Sequence, residues 1–263
     1  MTETVKIDFG KTRHRARFMI VTLPRSGSYH LASLLGSAPG VTCLGELYKS
    51  NAVELPPWLR QQVGLARGDM ALRDADPLGY LALLMAHCDD PVFGFKEFLP
   101  RIQQAQIGGH TLRSRHWQKI FLFRNPIRKY LSLQRAIETG IYTKTTPGAA
   151  PDDDAIIRFD PVRFDQTIKL DRLLRARFAD LKAQKPRRNM AIDYRDLNDP
   201  EKLGRVLEFI SVEGGDAGAL SSSYFRQNSR PLHESIADYD LMARHAQERG
   251  LGAELEDAAD PDA

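Results

Sequence analysis

The feature that most restricts this chain is a short apolar run, Phe18-Met19-Ile20-Val21-Thr22-Leu23, that passes directly into Pro24-Arg25-Ser26-Gly27-Ser28. A run of this length without polar alternation fits a strand covered on both faces, as central strands of parallel sheets are. Beyond the turn, Leu31, Leu34 and Leu35 stand at i, i+3 and i+4, which predicts a helix from about His30 that stops near Ser37 to Gly40. A strand, a tight turn and a helix in that order bring backbone N–H groups and the positive end of the helix dipole together, so the turn is suited to an anion.

The same alternation continues along the chain. A helix is predicted from Pro77 to Cys88, strands at Val92 to Phe95 and Ile120 to Phe123, and helices at Ile127 to Thr139 and Phe164 to Leu181. A short strand at Met190 to Ile192 and a helix from Pro200 to Ile210 follow. Strands alternating with helices imply a parallel sheet with helices on both faces, whose ligands bind beyond the carboxyl ends of the strands. Two of the strands run into charge at that end, Lys96-Glu97 and Arg124. Asn51 to Asp76, with Pro56, Pro57, Gly64 and Gly68, has weak periodicity and reads as an excursion from the sheet, a possible lid within the wider stretch 51–90. Thr143 to Asp154 reads as a loop, and the acidic stretch 251–263 as a frayed tail after a single domain over 1–250.

Composition narrows the partners. A length of 263 residues suits one large α/β domain. Lys+Arg at 37 against Asp+Glu at 34 leaves +3, too small a charge to call for nucleic acid or an anionic membrane, so any cationic function has to be local. The basic groups Arg113-Ser114-Arg115-His116 and Lys185-Pro186-Arg187-Arg188 lack interleaved aromatics and read as solvated loops. Cys43 and Cys88 have neither metal nor redox spacing, which fits a reducing compartment. The basic Lys11 to Arg17 before Phe18 imitates a signal peptide, but the apolar run is too short, and no stretch approaches the ~18 apolar residues of a membrane span. The expectation is a soluble, cytoplasmic protein without an integral membrane segment. His14, His87, His110, His116, His233 and His245 form no ligand pair at helical spacing, so no metal is expected.

Two segments carry chemistry. The first is Leu23 to His30, where Arg25 and the hydroxyls of Ser26 and Ser28 add donors to the turn. It lacks the Gly-x-x-x-x-Gly-Lys-Ser/Thr spacing, which disfavours a kinase that clasps ATP in that way. The second is Phe121-Leu122-Phe123-Arg124-Asn125-Pro126, an apolar strand that delivers an arginine to a helix opening on proline, with Ser132 eight positions after Arg124. Taken alone, each has an ordinary explanation: a glycine-containing turn with a serine cap, and a strand-end arginine paired with a surface carboxylate.

Together the two segments resemble the PAPS-dependent sulfotransferase family, bacterial carbohydrate and nodulation-factor enzymes among them. In that family a Pro-Lys/Arg-Ser-Gly-Ser/Thr loop follows the first strand, and an Arg-Asn/Asp-Pro with a Ser eight residues after the Arg ends a later one. Ile192-Asp193-Tyr194-Arg195-Asp196-Leu197 is similar to the family's Tyr-Glu-Asp-Leu segment, and the resemblance spans residues 17 to about 245. It implies a three-layer fold like that of P-loop NTPases, and PAPS as sulfuryl donor without a metal. Arg25, Ser26, Gly27, Ser28 and Tyr29 would then hold the 5′-phosphosulfate, and Arg124 with Ser132 the 3′-phosphate that separates PAPS from ATP. Tyr29 departs from the usual second Thr or Ser. His30 stands where some members carry a residue near the adenine, and Arg226 lies where members place a C-terminal segment near the nucleotide.

Transfer to a hydroxyl also needs a base. Glu46, in Leu44-Gly45-Glu46, resembles the Gly-Glu segment of bacterial carbohydrate sulfotransferases. Glu97 is the rival, in Lys96-Glu97-Phe98-Leu99-Pro100, which resembles the Lys-Thr-His-Leu-Pro of animal enzymes with Phe98 at the histidine position. Lys96 and Arg25 would balance charge on the transferring and leaving groups, while Glu97 has the alternative of pairing with Lys96 or Arg25. The resemblance to Gly-Glu implies a carbohydrate or glycolipid-type hydroxyl as acceptor. Open alternatives are a nucleotide kinase of related fold and a catalytically inactive nucleotide-binding protein. Nothing in the sequence specifies an oligomer, and a homodimer is left open.

Overall fold

The structure, a computed structural model, describes residues 13–142, 156–224 and 231–258. In chain order it runs β1 (Ala16–Thr22), α1 (Ser28–Gly36), β2 (Val41–Glu46), α2 (Pro57–Val63), α3 (Met70–Ala75), α4 (Pro77–Ala86), β3 (Val92–Phe98) and α5 (Leu99–Gln104). Then follow β4 (Gln118–Phe123), α6 (Pro126–Thr139), α7 (Pro161–Gln184), β5 (Asn189–Asp193), α8 (Pro200–Phe209), α9 (Leu232–Ser235), α10 (Tyr239–Glu248) and α11 (Gly252–Asp257). The five strands form one parallel sheet in the order β2-β3-β1-β4-β5. β1 is therefore central, as its unbroken apolar run predicts, and all seven of its residues are buried.

Alternate residues of β1 serve the two faces. Phe18 and Ile20 pack with Leu31, Leu34 and Leu35 of α1 and Leu203, Val206 and Leu207 of α8. Met19 and Val21 face the opposite layer, where Leu81 and Leu84 of α4, Ile102 of α5 and Leu174 and Leu181 of α7 lie. This is the expected three-layer α/β fold. Gly94 on β3 is a place of close approach: a Cβ there would lie 2.2 Å from the Phe18 ring, so the two strands pair only because that side chain is missing.

Four helix starts share one device. Asp76, Asn125, Asp160 and Asp199 each precede a proline and accept hydrogen bonds from first-turn N–H groups of α4, α6, α7 and α8. Proline at the first position needs no N–H partner, and the Asx side chain satisfies the next donors. α1 begins differently: Gly27 stands at its N-cap, no side chain caps it, and no acid lies in its first turn.

Three expectations are corrected. Residues 51–76 are not merely an excursion, because Val53, Leu55 and Leu59 are buried in the core beside β3. The stretch 251–263 is not frayed throughout: α11 forms, and Leu251, Leu255 and Ala258 pack against Ile127 and Leu131 of α6. Lys96 and Glu97 do not lie beyond β3 but within it, both fully buried. Thr143 to Asp154, Arg226 and 259–263 lie outside the described residues.

Candidate functional site

The site forms where β1 and β4, neighbours in the sheet, deliver their loops at the carboxyl edge. Arg25 and Gly27 both adopt left-handed backbone, with φ of 66° and 80°. Glycine is required at 27 on two counts, since an added Cβ would also lie 2.5 Å from the Tyr194 ring. The turn buries Ser26 completely, and its Oγ has no hydrogen-bond partner among the described residues.

Arg124 leaves the end of β4 and donates from Nη1 to the Arg25 carbonyl at 3.0 Å. Its guanidinium lies 4.1 Å from the centroid of the Tyr194 ring. Two turns into α6, Ser132 Oγ accepts from Arg25 Nε at 3.0 Å. The eight-residue spacing therefore does fold back, although Ser132 meets Arg25 rather than Arg124. Burial, with Arg124 alongside, lowers the Arg25 guanidinium to about 10. Two arginines near enough for Arg124 to lower Arg25, at a helix start whose own turn buries the Ser26 hydroxyl, make a cradle for a polyanion.

Asn125 fixes the arginine's strand end. Its Oδ1 accepts from Ile127 N–H at 2.9 Å, while its Nδ2 donates to the Glu254 carbonyl at 2.7 Å and to Asp257 at 2.8 Å. Asp257 also accepts from Arg195 at 2.6 Å, so α11 clamps the segment on either side of Tyr194 and Arg124.

Parallel pairing places Glu46 of β2 opposite Lys96 of β3, across an irregularity between Leu44 and Glu46. Lys96 Nζ donates to Glu46 Oε1 at 2.6 Å and lies 3.3 Å from Ser28 Oγ at the start of α1. Arg101 of α5 donates to the other oxygen of Glu46. Burial alone would push the Glu46 carboxyl up, but Lys96, Arg101 and Lys49 outweigh it and hold the group below its ordinary value. Burial pushes the Lys96 ammonium down, opposed by Glu46. Removing either partner of such a buried pair would leave the other charge uncompensated.

Glu97 points to the opposite face of β3. Its oxygens accept from the backbone N–H groups of Tyr48 at 2.8 Å and Phe98 at 2.9 Å, so it pairs with neither Lys96 nor Arg25. Both oxygens are thus engaged by backbone N–H groups. Burial raises it to about 7, against an ordinary value of 4.5. A carboxyl with a raised folded-state value stabilises the fold fully below its unfolded value, and loses that contribution as pH rises through the folded one. Between about pH 5 and pH 8 the wild type is therefore expected to lose on the order of 3 kcal/mol that Glu97→Gln does not lose. Chemical denaturation at the two pH values measures it, and parallel losses in both proteins would rule the assignment out.

His30, half-buried in the first turn of α1, is lowered by burial, with the Asn198 side chain and the Tyr224 backbone as hydrogen-bonding neighbours. Tyr29 does not offer its hydroxyl to the loop but donates it to Glu54. Sequence reasoning missed Glu54, Arg101 and the packing role of Tyr194. Tyr194 alone had a signal, as part of the Ile192 to Leu197 segment.

No protein-family profile matches the chain, and no curated protein matches it in sequence. Among solved structures it is similar to a sulfotransferase from Alicyclobacillus acidocaldarius, with a TM-score of 0.51 and 12% identity over 92% of this chain and 96% of that one. The two share their fold. Mouse sulfotransferase SULT7A1 complexed with PAP also matches, at a TM-score of 0.41 and 13% identity over 78% of this chain and 62% of that one. Among the described residues no helix is long and apolar enough to cross a membrane, and no group of His, Cys, Asp and Glu is placed to hold a metal.

Proposed function

We propose that this chain transfers a sulfuryl group from PAPS to an acceptor hydroxyl. The observation that carries the reading is the meeting of Arg25, Arg124 and Ser132 around the uncapped start of α1, with the partnerless Ser26 hydroxyl buried in the loop. The donor set fits PAPS: cations and hydroxyls for two separate phosphate groups, and no acid in the first turn of the helix to repel them.

Arg25, Ser26, Ser28 and the N–H groups of Gly27 to Tyr29 would hold the 5′-phosphosulfate, and Arg124 with Ser132 the 3′-phosphate. His30 and Arg226 are further candidates on the nucleotide side. When bound, PAPS supplies the electrophilic sulfur and leaves as PAP. Glu46 takes the acceptor proton at a carboxylate oxygen as the hydroxyl oxygen bonds to sulfur. Lys96 and Arg25 place positive charge where negative charge develops on the departing phosphate oxygen. The products are a sulfate ester and PAP, and no metal takes part.

The acceptor side favours an amphiphile, such as a glycolipid-type carbohydrate, over a bare sugar. A cleft of about 220 Å³ opens between α5 and α7, lined by Leu23, Leu99, Pro100, Leu170 and Leu173 with Gln103, Arg177 and Asp180. In the sequence Leu23 lies two residues before Arg25, and Pro100 one before Arg101.

The test is calorimetric titration of PAP and ADP into the wild type and Arg124→Ala, followed by an acceptor panel. PAP should bind at micromolar concentration or tighter and in preference to ADP. Loss of the guanidinium should weaken PAP by roughly 10–100-fold, the worth of charge-assisted bonds. Equal binding of ADP, or no binding, would remove the reading. Binding without turnover of any acceptor would favour an inactive nucleotide-binding protein, and turnover of phenols alone would defeat the carbohydrate assignment.

A further inference from the structure

Tyr29 is the residue by which this loop departs most from its expected chemistry, and its surroundings give it a different task. The Lys96 ammonium lies 3.5 Å from the centroid of the Tyr29 ring and 4.6 Å from that of Phe98. Glu46 and Ser28 take other directions around the same nitrogen. A fully buried ammonium has lost its water, and an aromatic face is one of few surfaces that replaces part of that hydration while still excluding solvent. A serine or threonine at position 29 would leave that side of the cation open.

The ring is itself held from outside the loop. Its hydroxyl donates to Glu54 Oε1, and Lys49 Nζ donates to Glu54 Oε2 at 2.6 Å. Burial, with Glu46 and Glu54 nearby, raises the Tyr29 hydroxyl far above its ordinary value, so it remains a donor throughout the working pH range. The backbone of β2 is closed against the same carboxylate: a Cβ on Gly45 would lie 3.1 Å from Glu54 Oε1. Lys49 and Glu54 belong to the segment that leads from β2 into α2 and packs through Val53 and Leu55 into the core on the α5 and α7 side.

We propose that Tyr29 is a positioning residue: its ring walls the Lys96 ammonium, and its hydroxyl bond to Glu54 ties that wall to the 47–56 segment. This rests on the reading that Lys96 serves the transfer site. It gives the 47–56 segment a mechanical hold on the cation through one side chain.

The experiment follows the Lys96 side chain in the ligand-free protein by NMR of 13Cε-labelled lysine, assigned with Lys96→Met. Wild type, Tyr29→Phe, Tyr29→Leu and Glu54→Gln are compared, and PAP binding and steady-state turnover are measured on each. In Tyr29→Leu the Lys96 methylene protons should lose their ring-current shift, and the ammonium should titrate about one unit lower, the scale of a desolvated cation–π contact. Tyr29→Phe, which keeps the ring, and Glu54→Gln, which keeps a weaker bond, should fall in between. Turnover should follow the same order, with kcat falling about tenfold in Tyr29→Leu and KM for PAPS nearly unchanged.

Wild-type Lys96 signals in Tyr29→Leu and Glu54→Gln, in protein that binds PAP, would overturn the positioning role and leave the sulfotransferase reading standing. Shifted Lys96 signals in protein that binds no PAP would support the positioning role and defeat that reading.

Discussion

Gly27→Ala is expected to weaken PAP binding by more than about 100-fold. Two costs add. Left-handed backbone at φ 80° is unfavourable for alanine by roughly 1–2 kcal/mol. The new Cβ would also lie 2.5 Å and 2.6 Å from two atoms of the Tyr194 ring and 3.3 Å from Leu197, so the ring must leave. Tyr194 is also the surface over which the Arg124 guanidinium lies, and its displacement disturbs both halves of the anion site together. Calorimetry with PAP reads the loss, and thermal unfolding should show the variant still folded. Binding within a few-fold of wild type would mean that the loop is not where the anion sits.

Glu46→Gln is expected to lower kcat by about 10²–10⁴-fold, the range for removal of a general base. The amide keeps the shape of the carboxylate but cannot take a proton, and it leaves the buried Lys96 without its main counter-ion. PAP binding should survive, because Arg25, Arg124 and Ser132 are untouched. Glu97→Gln is the internal comparison. That carboxyl holds backbone N–H groups on the other face of β3, so kcat should stay within a few-fold of wild type. If Glu46→Gln turns over nearly as fast as wild type, Glu46 is a counter-ion only and the base lies elsewhere.

The parts legible in the sequence are those written in consecutive residues. The run Phe18 to Leu23, the turn after it and the Arg124 strand end all appear where the local pattern puts them, because burial on both faces of a central strand leaves its mark on every residue. Parts that depend on pairing across the sheet are less legible. Charge at Lys96 and Glu97 reads as the end of a strand. The register of β2 against β3 instead supplies Lys96 with Glu46, and the two N–H groups of Tyr48 and Phe98 supply Glu97, so β3 runs on through both. Tyr29 and Glu54 meet across 25 positions with no period to announce them. The acidic composition after Glu254 hides the fact that Leu255 and Ala258 face a core and that Asp257 has both Asn125 and Arg195 to bind.

The clamp by α11 bears on the order in which the molecule can be assembled. The five strands among the described residues and both anion-binding segments are present in the chain by Asp193, yet Asn125, which caps the helix after Arg124, takes partners from residues 254 and 257. During synthesis the sheet can close, and α1 can pack on it, well before those residues leave the ribosome. The nucleotide side would then stay unfinished until α11 docks, so a chain cut before Gly252 could look folded by its secondary structure while holding its key arginine in a loose frame.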